Sequence, residues 1–405
     1  MKIAIFTDAY WPRVNGVTVS IDAFSHALLR LGHKVLIVCA AYPDTMGLKR
    51  ISSDQTETPE LQPEIIQVPS FTFVLSKEDR VAHFHKVFWV AKQIGTFAPD
   101  IIHLNTEFML AKFGFYCARH YKIPVVYTFH TLWEEYGGNY FYMFPLPFVK
   151  FIARNIIKYM LKRTDVIIAP TTQVAELIKK YKIKKQTFLL PTGIDPKYLD
   201  FTQLQKDSFK RRFEQIHPVL AHKKILIFAG RITKEKNIDF LLHILPRIIE
   251  KRDDVVLLII GNGPYHDELM QTSEKLGLQD HCVFTGYLDR VDLGLTYAMS
   301  HIFVFPSLTE TQGLVTVEAM YSGIPVVAIG SMGTIMVMGG DNGGFMVHND
   351  PGEFTDKVLA LLEDPELYKR KVYDAKEHAQ NWLIDTMAVK LINVYQKTLD
   401  SYKKK

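Results

Sequence analysis

Two glutamates, Glu310 and Glu318, bracket the stretch Glu310-Thr311-Gln312-Gly313-Leu314-Val315-Thr316-Val317-Glu318, which follows the apolar run Ile302 to Phe305 and precedes Gly323-Ile324-Pro325-Val326-Val327. Gly313 is placed to open a helix. The amides of Gln312, Gly313 and Leu314 can then face a ligand, with Glu310 in the loop and Glu318 on an early turn. A hydrolytic pair is disfavoured: glycosidase carboxyls stand about 5 to 9.5 Å apart across one bond, whereas the intervening helix would separate these two by roughly 12 Å. The pair either addresses two parts of one elongated molecule or is a couple of exposed glutamates at a helix entrance.

A second set of chemically able side chains is Gly230-Arg231-Ile232-Thr233-Lys234-Glu235-Lys236-Asn237, directly after the run Ile225 to Ala229. Arg231 and Lys236, beside a helix that starts near Asn237, combine fixed charge with a helix dipole and suit a diphosphate gaining charge as it departs. A solvated basic loop is the plainer alternative. His130 ends the run Val125 to Phe129, where it can donate to a sugar hydroxyl or sit as a core histidine with a buried partner. Glu134 and Glu135, just beyond it, read as surface groups. The run Lys2 to Phe6 leads to Asn15-Gly16, where Gly16 either admits a ligand to a helix start or only turns the chain. No GxGxxG fingerprint stands there, which weighs against a dehydrogenase. Gly263 and Leu288, in Gly261-Asn262-Gly263-Pro264 and Gly286-Tyr287-Leu288, are weaker candidates, since turn formation explains both segments equally well.

All these groups fall at the ends of short apolar runs. Lys2 to Phe6, Lys34 to Cys39, Asp100 to Leu104, Val125 to Phe129, Asp165 to Ala169 and Phe188 to Leu190 read as buried parallel strands. Between them lie amphipathic segments such as Val17 to Leu31, with Ile21, Phe24, Leu28 and Leu31 at helical spacing. The pattern stops after Pro196 for a polar, basic segment to about Lys223. It restarts with Ile225 to Ala229, Val255 to Ile260, Val283 to Phe284, Ile302 to Phe305 and Pro325 to Ala328. Strand and helix in alternation predict an α/β chain of two doubly wound, Rossmann-like domains facing across a cleft, with ligands at the strand carboxyl ends. The expected domains are 1–195 and 196–376. Residues 377–405 form a C-terminal helix burying Trp382, Leu383, Met387, Leu391 and Tyr395 on one face. Residues 41 to 64 read as a long excursion without chemistry.

The 405 residues, 48% hydrophobic and 22% charged, supply two cores and leave no room for wholesale disorder. Lys and Arg number 48 against 43 Asp and Glu, and the resulting +5 suits a phosphate-bearing ligand or an anionic membrane face while being too small to indicate nucleic acid. Cys39, Cys117 and Cys282 are far apart in apolar stretches, which predicts a reducing compartment and no disulfide framework. Asp8 arrives too early for an export signal, and no apolar run approaches the roughly 18 residues of a membrane span. Lys150, Arg154, Lys158 and Lys162 recur at four-residue steps among Phe148, Phe151, Ile152, Ile156 and Tyr159. That stripe suits docking on an anionic lipid surface or is an ordinary solvated helix face.

With Gly16, His130, Arg231, Lys236, Glu310 and Glu318 in this order, nearly the whole chain resembles the retaining glycosyltransferases of the large family four, which have the GT-B architecture. The neighbourhood of Tyr127 to Tyr142 resembles the bacterial diacylglycerol glucosyltransferases of that family. The resemblance implies a nucleotide-sugar donor, UDP-glucose, held mostly by the second domain with its diphosphate on Arg231 and Lys236, and no required metal or other cofactor. It places the ribose on Glu318, the sugar on Glu310 and the amides near Gln312, Gly313 and Leu314, and base-side contacts at Gly263 and Leu288. His130 would position the sugar and support positive character at its anomeric carbon, and Gly16 would face the diphosphate and the acceptor. The implied partners are a lipid acceptor such as diacylglycerol and the cytoplasmic face of an anionic membrane, met peripherally, with the C-terminal helix returning to the first domain. A sister transferase acting on phosphatidylinositol, lipopolysaccharide or another glycan stays open, as does a sugar-nucleotide-binding protein without chemistry.

Overall fold

A computed structural model describes residues 1–13, 15–42, 61–73, 76–130, 146–310 and 312–404, with the backbone alone for 76–78 and 146–150. The chain divides into two compact units, the first comprising Met1–Gly193 and Ile384–Lys405 and the second Ile194–Leu383.

The first unit is built from β1 (Lys2–Thr7), α1 (Gly16–Arg30), β2 (Lys34–Ala40), β3 (Glu64–Val68), β4 (Ser70–Phe73), β5 (Ser76–Ala82), α2 (Val87–Phe97), β6 (Ile101–Leu104), α3 (Met109–Tyr121), β7 (Val125–Thr128), α4 (Leu146–Arg163), β8 (Val166–Ala169), α5 (Thr172–Lys180) and β9 (Gln186–Leu189). Seven of these strands pair in parallel in the order β3-β2-β1-β6-β7-β8-β9, and β4 with β5 makes a separate antiparallel pair. Parallel strands covered on both faces are mostly apolar, with buried polar groups such as His103 and Thr128 paired to partners. Accordingly β6, β7 and β8 are buried at every position. One face packs against α2, α3, α4 and α5 through Val90, Ile94, Phe113, Cys117, Ile157, Leu161, Val174 and Ile178. On α1, Ala23 and Ala27 meet Ile384 and Ala388 of the last helix.

The second unit contains α6 (Gln203–Ile216), β10 (Lys224–Ala229), α7 (Ile238–Lys251), β11 (Val255–Ile260), α8 (His266–Lys275), β12 (Cys282–Gly286), α9 (Arg290–Met299), β13 (Ile302–Phe305), α10 (Leu314–Tyr321), β14 (Val326–Ile329), α11 (Met332–Met338), β15 (Gly344–Val347), α12 (Pro351–Glu363) and α13 (Pro365–Gln380). Its six strands are parallel in the order β12-β11-β10-β13-β14-β15. The chain then re-enters the first unit as α14 (Ile384–Lys403).

Several elements depart from the sequence reading. The polar segment before Lys223 is no linker: a capping box of Thr202 and Gln205 starts α6, which buries Phe209 and Phe213. The C-terminal stretch is two helices, and between them Trp382 accepts a hydrogen bond from the Ile194 amide at 2.8 Å, so Trp382 and Leu383 belong to the second unit. The division between units therefore falls at Gly193/Ile194 and Leu383/Ile384. Glu64–Val68, which begins at the end of the expected excursion, is an edge strand exposed or half-exposed at all but Val68, and residues 43–60 lie outside the described residues. All three cysteines are free and buried. Among the described residues no helix is long and apolar enough to cross a membrane.

Candidate functional site

Each sheet reverses its winding once, between β1 and β6 in the first unit and between β10 and β13 in the second. A crevice opens at such a switch point beyond the strand carboxyl ends. Gly16 follows β1 and Arg231, Lys236 and Glu310 follow β10 and β13, at these two places, whereas Gly263 and Leu288 follow β11 and β12 and the cationic stripe lies on α4.

In the second unit, β10 delivers Gly230 and Arg231, and a single 3-10 turn, Lys234–Lys236, leads through Asn237 in the left-handed conformation (φ 56°) into α7. Arg231 is exposed, while Lys236 is mostly buried and its Nζ lies 2.6 Å from Glu310 Oε2. Lys236 and Glu310 form an ion pair beside the loop that carries Arg231. The other carboxylate oxygen of Glu310 accepts the Gly313 amide at 3.1 Å, and its carbonyl accepts the Gly333 amide at 2.8 Å. Gly313 caps α10 at φ +72°, where a side chain would be strained. Glu310 is thus fixed by one ammonium and one helix-start amide, the arrangement of a carboxylate held in register for a ligand. Gln312 and Leu314 are half-buried on either side of Gly313, and Thr311 lies outside the described residues.

Glu318, on α10 itself, is largely buried, with Arg290 Nη2 3.9 Å away. Burial raises its carboxyl above the usual carboxylate range, opposed by Arg290 and by Tyr297. Burial and the Glu318 charge in turn drive the Tyr297 phenol far above its ordinary value. Arg290 also stacks its guanidinium 4.0 Å over the Tyr198 ring. The loops after β10, β11 and β12 are stitched by backbone bonds: the Gly230 amide donates to Ile260, that of Ile232 to Asn262 and that of Gly261 to Gly286. A Cβ on Gly263 would sit 2.1 Å from the Ile232 carbonyl oxygen. Gly263 therefore has a packing reason independent of any ligand. Leu288 is half-buried just beyond β12.

In the first unit, Asn15 caps α1 by accepting the Thr18 amide at 2.8 Å, and Gly16 opens the helix on empty space, with nothing within 4 Å of a would-be Cβ. Asp8, just past β1, accepts the Thr106 hydroxyl at 2.6 Å and the Leu110 amide at 3.0 Å, tying the first loop to the start of α3 across the switch point. Burial lifts its carboxyl to about 6. His130 is half-buried beyond β7 with Nε2 2.9 Å from Asn105 Oδ1, and burial pulls its imidazole down to about 4, so it is neutral at physiological pH. One strand over, His103 is sandwiched between the Tyr395 hydroxyl and the Thr128 hydroxyl, each at 2.7 Å. A cavity runs along these groups, lined also by Ser20 and Thr192. Tyr127 is buried on the opposite face and donates to Glu107 at 2.5 Å; residues 131 to 145, with Glu134 and Glu135, lie outside the described residues.

On α4, Arg154 and Lys162 are exposed, Lys158 leans 5.9 Å from the Tyr181 ring, and the Lys150 side chain is outside the described residues. Phe151, Ile152, Ile156 and Tyr159 are exposed among these cations while Ile157, Met160 and Leu161 enter the core. Sequence reading missed Asp8, His103, Asn105 and Arg290. A polar residue interrupting an apolar run, as in Ile101-Ile102-His103-Leu104-Asn105, was the available signal for two of them.

Known proteins share the family and the fold of this chain. The family model described as Glycosyltransferase Family 4 matches residues 14–198, and that described as Glycosyl transferases group 1 matches 209–378. An alpha-monoglucosyldiacylglycerol synthase of Streptococcus pneumoniae is 32% identical over 343 residues, 82% of this chain and 71% of that protein. The enzyme of the same name from Acholeplasma laidlawii is 25% identical over 100% of this chain and 99% of its own length. Among solved structures, Anabaena HepE in complex with UDP and glucose has the same fold, with a TM-score of 0.74 at 18% identity over 98% of this chain and all of that one.

Proposed function

The chain belongs to the glycosyltransferase family of group 1 and family 4, and from that premise we propose that it moves glucose from UDP-glucose to a membrane lipid such as diacylglycerol, retaining the anomeric configuration. The observation that carries the reading is Glu310 clamped between Lys236 and the Gly313 amide at the switch point of the second sheet. There Arg231 and Lys236 take the diphosphate, supplying the charge that a metal would otherwise bring. Glu310 with the amides of Gln312, Gly313 and Leu314 orients the sugar. Glu318 takes the ribose, and Gly263 and Leu288 lie on the base side. Gly16, at its open helix start, serves the diphosphate and the acceptor.

His130, neutral because buried, contributes hydrogen bonding and a lone pair rather than charge. Catalysis then rests on orientation and on stabilising the departing diphosphate. The names of the two lipid synthases above support a lipid acceptor, and the surface of the first unit supports a peripheral place on the cytoplasmic face of an anionic membrane. Besides the α4 stripe, it exposes Phe84 (73%), Phe88 (69%) and Trp89, with Phe88 edge-on to Tyr116 at 5.7 Å. Such rings interleaved with cations fit a headgroup layer.

Turnover of UDP-glucose with diacylglycerol in mixed micelles tests this. The double change Arg231→Ala with Lys236→Ala should lower kcat about a hundredfold or more while circular dichroism is unchanged. Undiminished turnover in the folded variant would remove the assignment.

A further inference from the structure

His103 and Asn105 point to one side of β6 and its extension, and Thr128 and His130 to the same side of β7, since the intervening Leu104, Tyr127 and Phe129 all belong to the opposite core. The four therefore form two rungs. In the inner rung, His103 Nε2 meets Thr128 and Nδ1 meets the Tyr395 hydroxyl. Tyr395 is fully buried, and its phenol keeps its proton and needs an acceptor. His103 Nδ1 is the acceptor in reach, which leaves the His103 proton on Nε2, donating to Thr128. The outer rung has the same form with an amide in place of the hydroxyl. Asn105 is 4% exposed, so water does not compete for its oxygen. A carbonyl oxygen only accepts, so the nitrogen 2.9 Å from it must carry hydrogen.

We propose that Asn105 is a positioning residue that holds His130 as its Nε2–H tautomer and so leaves Nδ1 as a bare lone pair for the ligand. The tautomer assignment stands on the Asn105 contact alone; its use in transfer rests on the function proposed above. A lone pair at Nδ1 can support positive character at a sugar carbon or accept from a hydroxyl, whereas an N–H there could do neither. The Nδ2 of Asn105 is buried with no partner among the described residues. Turning the amide over would set that nitrogen against His130 and reverse the tautomer, so one proton reports which way the amide lies.

The test is nuclear magnetic resonance of protein carrying ring-nitrogen-labelled histidine at neutral pH, with the His130 signals identified by their loss in His130→Gln. The unmodified protein should show a protonated Nε2 and an unprotonated Nδ1. Asn105→Ala should give a mixture of tautomers, and Asn105→Asp, which keeps an acceptor oxygen in place, should restore the Nε2 proton. A protonated Nδ1 in the unmodified protein overturns the proposal, as does a tautomer unmoved in folded Asn105→Ala. In turnover, Asn105→Ala should lower kcat about tenfold with the donor KM changed less than about twofold. Absence of any turnover in the unmodified protein would count against the proposed function while the resonance result still judges the tautomer.

Discussion

Asp8 shows how much one side chain can decide. Its two carboxylate oxygens satisfy the Thr106 hydroxyl and the Leu110 amide, and its own amide donates to Thr106 at 2.9 Å. The helix start at α3 has no side-chain cap of its own, so Asp8 does that work from a strand two elements away in the sheet's winding. Asp8→Ala should leave the buried Leu110 amide unsatisfied and cost about 1–3 kcal/mol, measurable as a lowered denaturant midpoint of the first unit. Asp8→Asn, which keeps an oxygen, should lose less. Glu310 and Glu318 illustrate the same dependence on partners. Spacing alone disfavoured a hydrolytic dyad, but which cation each would meet was not legible, because Lys236 and Arg290 are brought to them by β10 and α9 from distant parts of the chain.

At the scale of elements, the buried strands were readable because a parallel sheet covered on both faces demands unbroken apolar runs. Edge strands obey no such demand. β3 is exposed or half-exposed at every position but Val68, and β15 is short and opens with Gly344, so neither stood out. The helix α4 was legible as amphipathic, yet its outward face is apolar as well as basic, with Phe151 64% exposed. The same outer layer carries exposed Phe88 and Trp89 on α2, and these are the groups the proposed docking would use. Changing Lys150, Arg154, Lys158 and Lys162 together to Glu should reduce sedimentation with phosphatidylglycerol vesicles at least about tenfold, since each cation near such a surface is worth about 1 kcal/mol. Phe88→Ser with Trp89→Ser should weaken it further at high salt, where charge is screened. Sedimentation unaffected by both sets would refute the docking surface.

Across the molecule, the two cores were legible from periodicity and His130 from its place after Val125 to Phe129, but His103 and His301 were not, and the three buried imidazoles bear on how the fold responds to acid. Burial lowers His103 to about 3 and His130 and His301 to about 4. Below the ordinary value of about 6.5, the unfolded chain binds protons that the folded chain refuses. Stability is therefore full above that value and is lost as pH falls through the window down to about 4. Asp8, raised to about 6, works in the opposite sense with Glu318 and Asp292, which are also raised, keeping protons in the fold as pH falls; against them stand His103, His130 and His301, with His33 and His217 lowered as well. Denaturant midpoints should fall as pH is lowered from about 7 to about 5, and His103→Gln should flatten the slope for the first unit while leaving that of the second. A slope unchanged by His103→Gln would contradict the assignment. The hydroxyl that meets His103 comes from α14, so the floor of the first unit is finished by the last helix of the chain. The second unit is thus one uninterrupted stretch from Ile194 to Leu383, whereas the first unit closes over His103 only with a side chain 292 residues further along the chain.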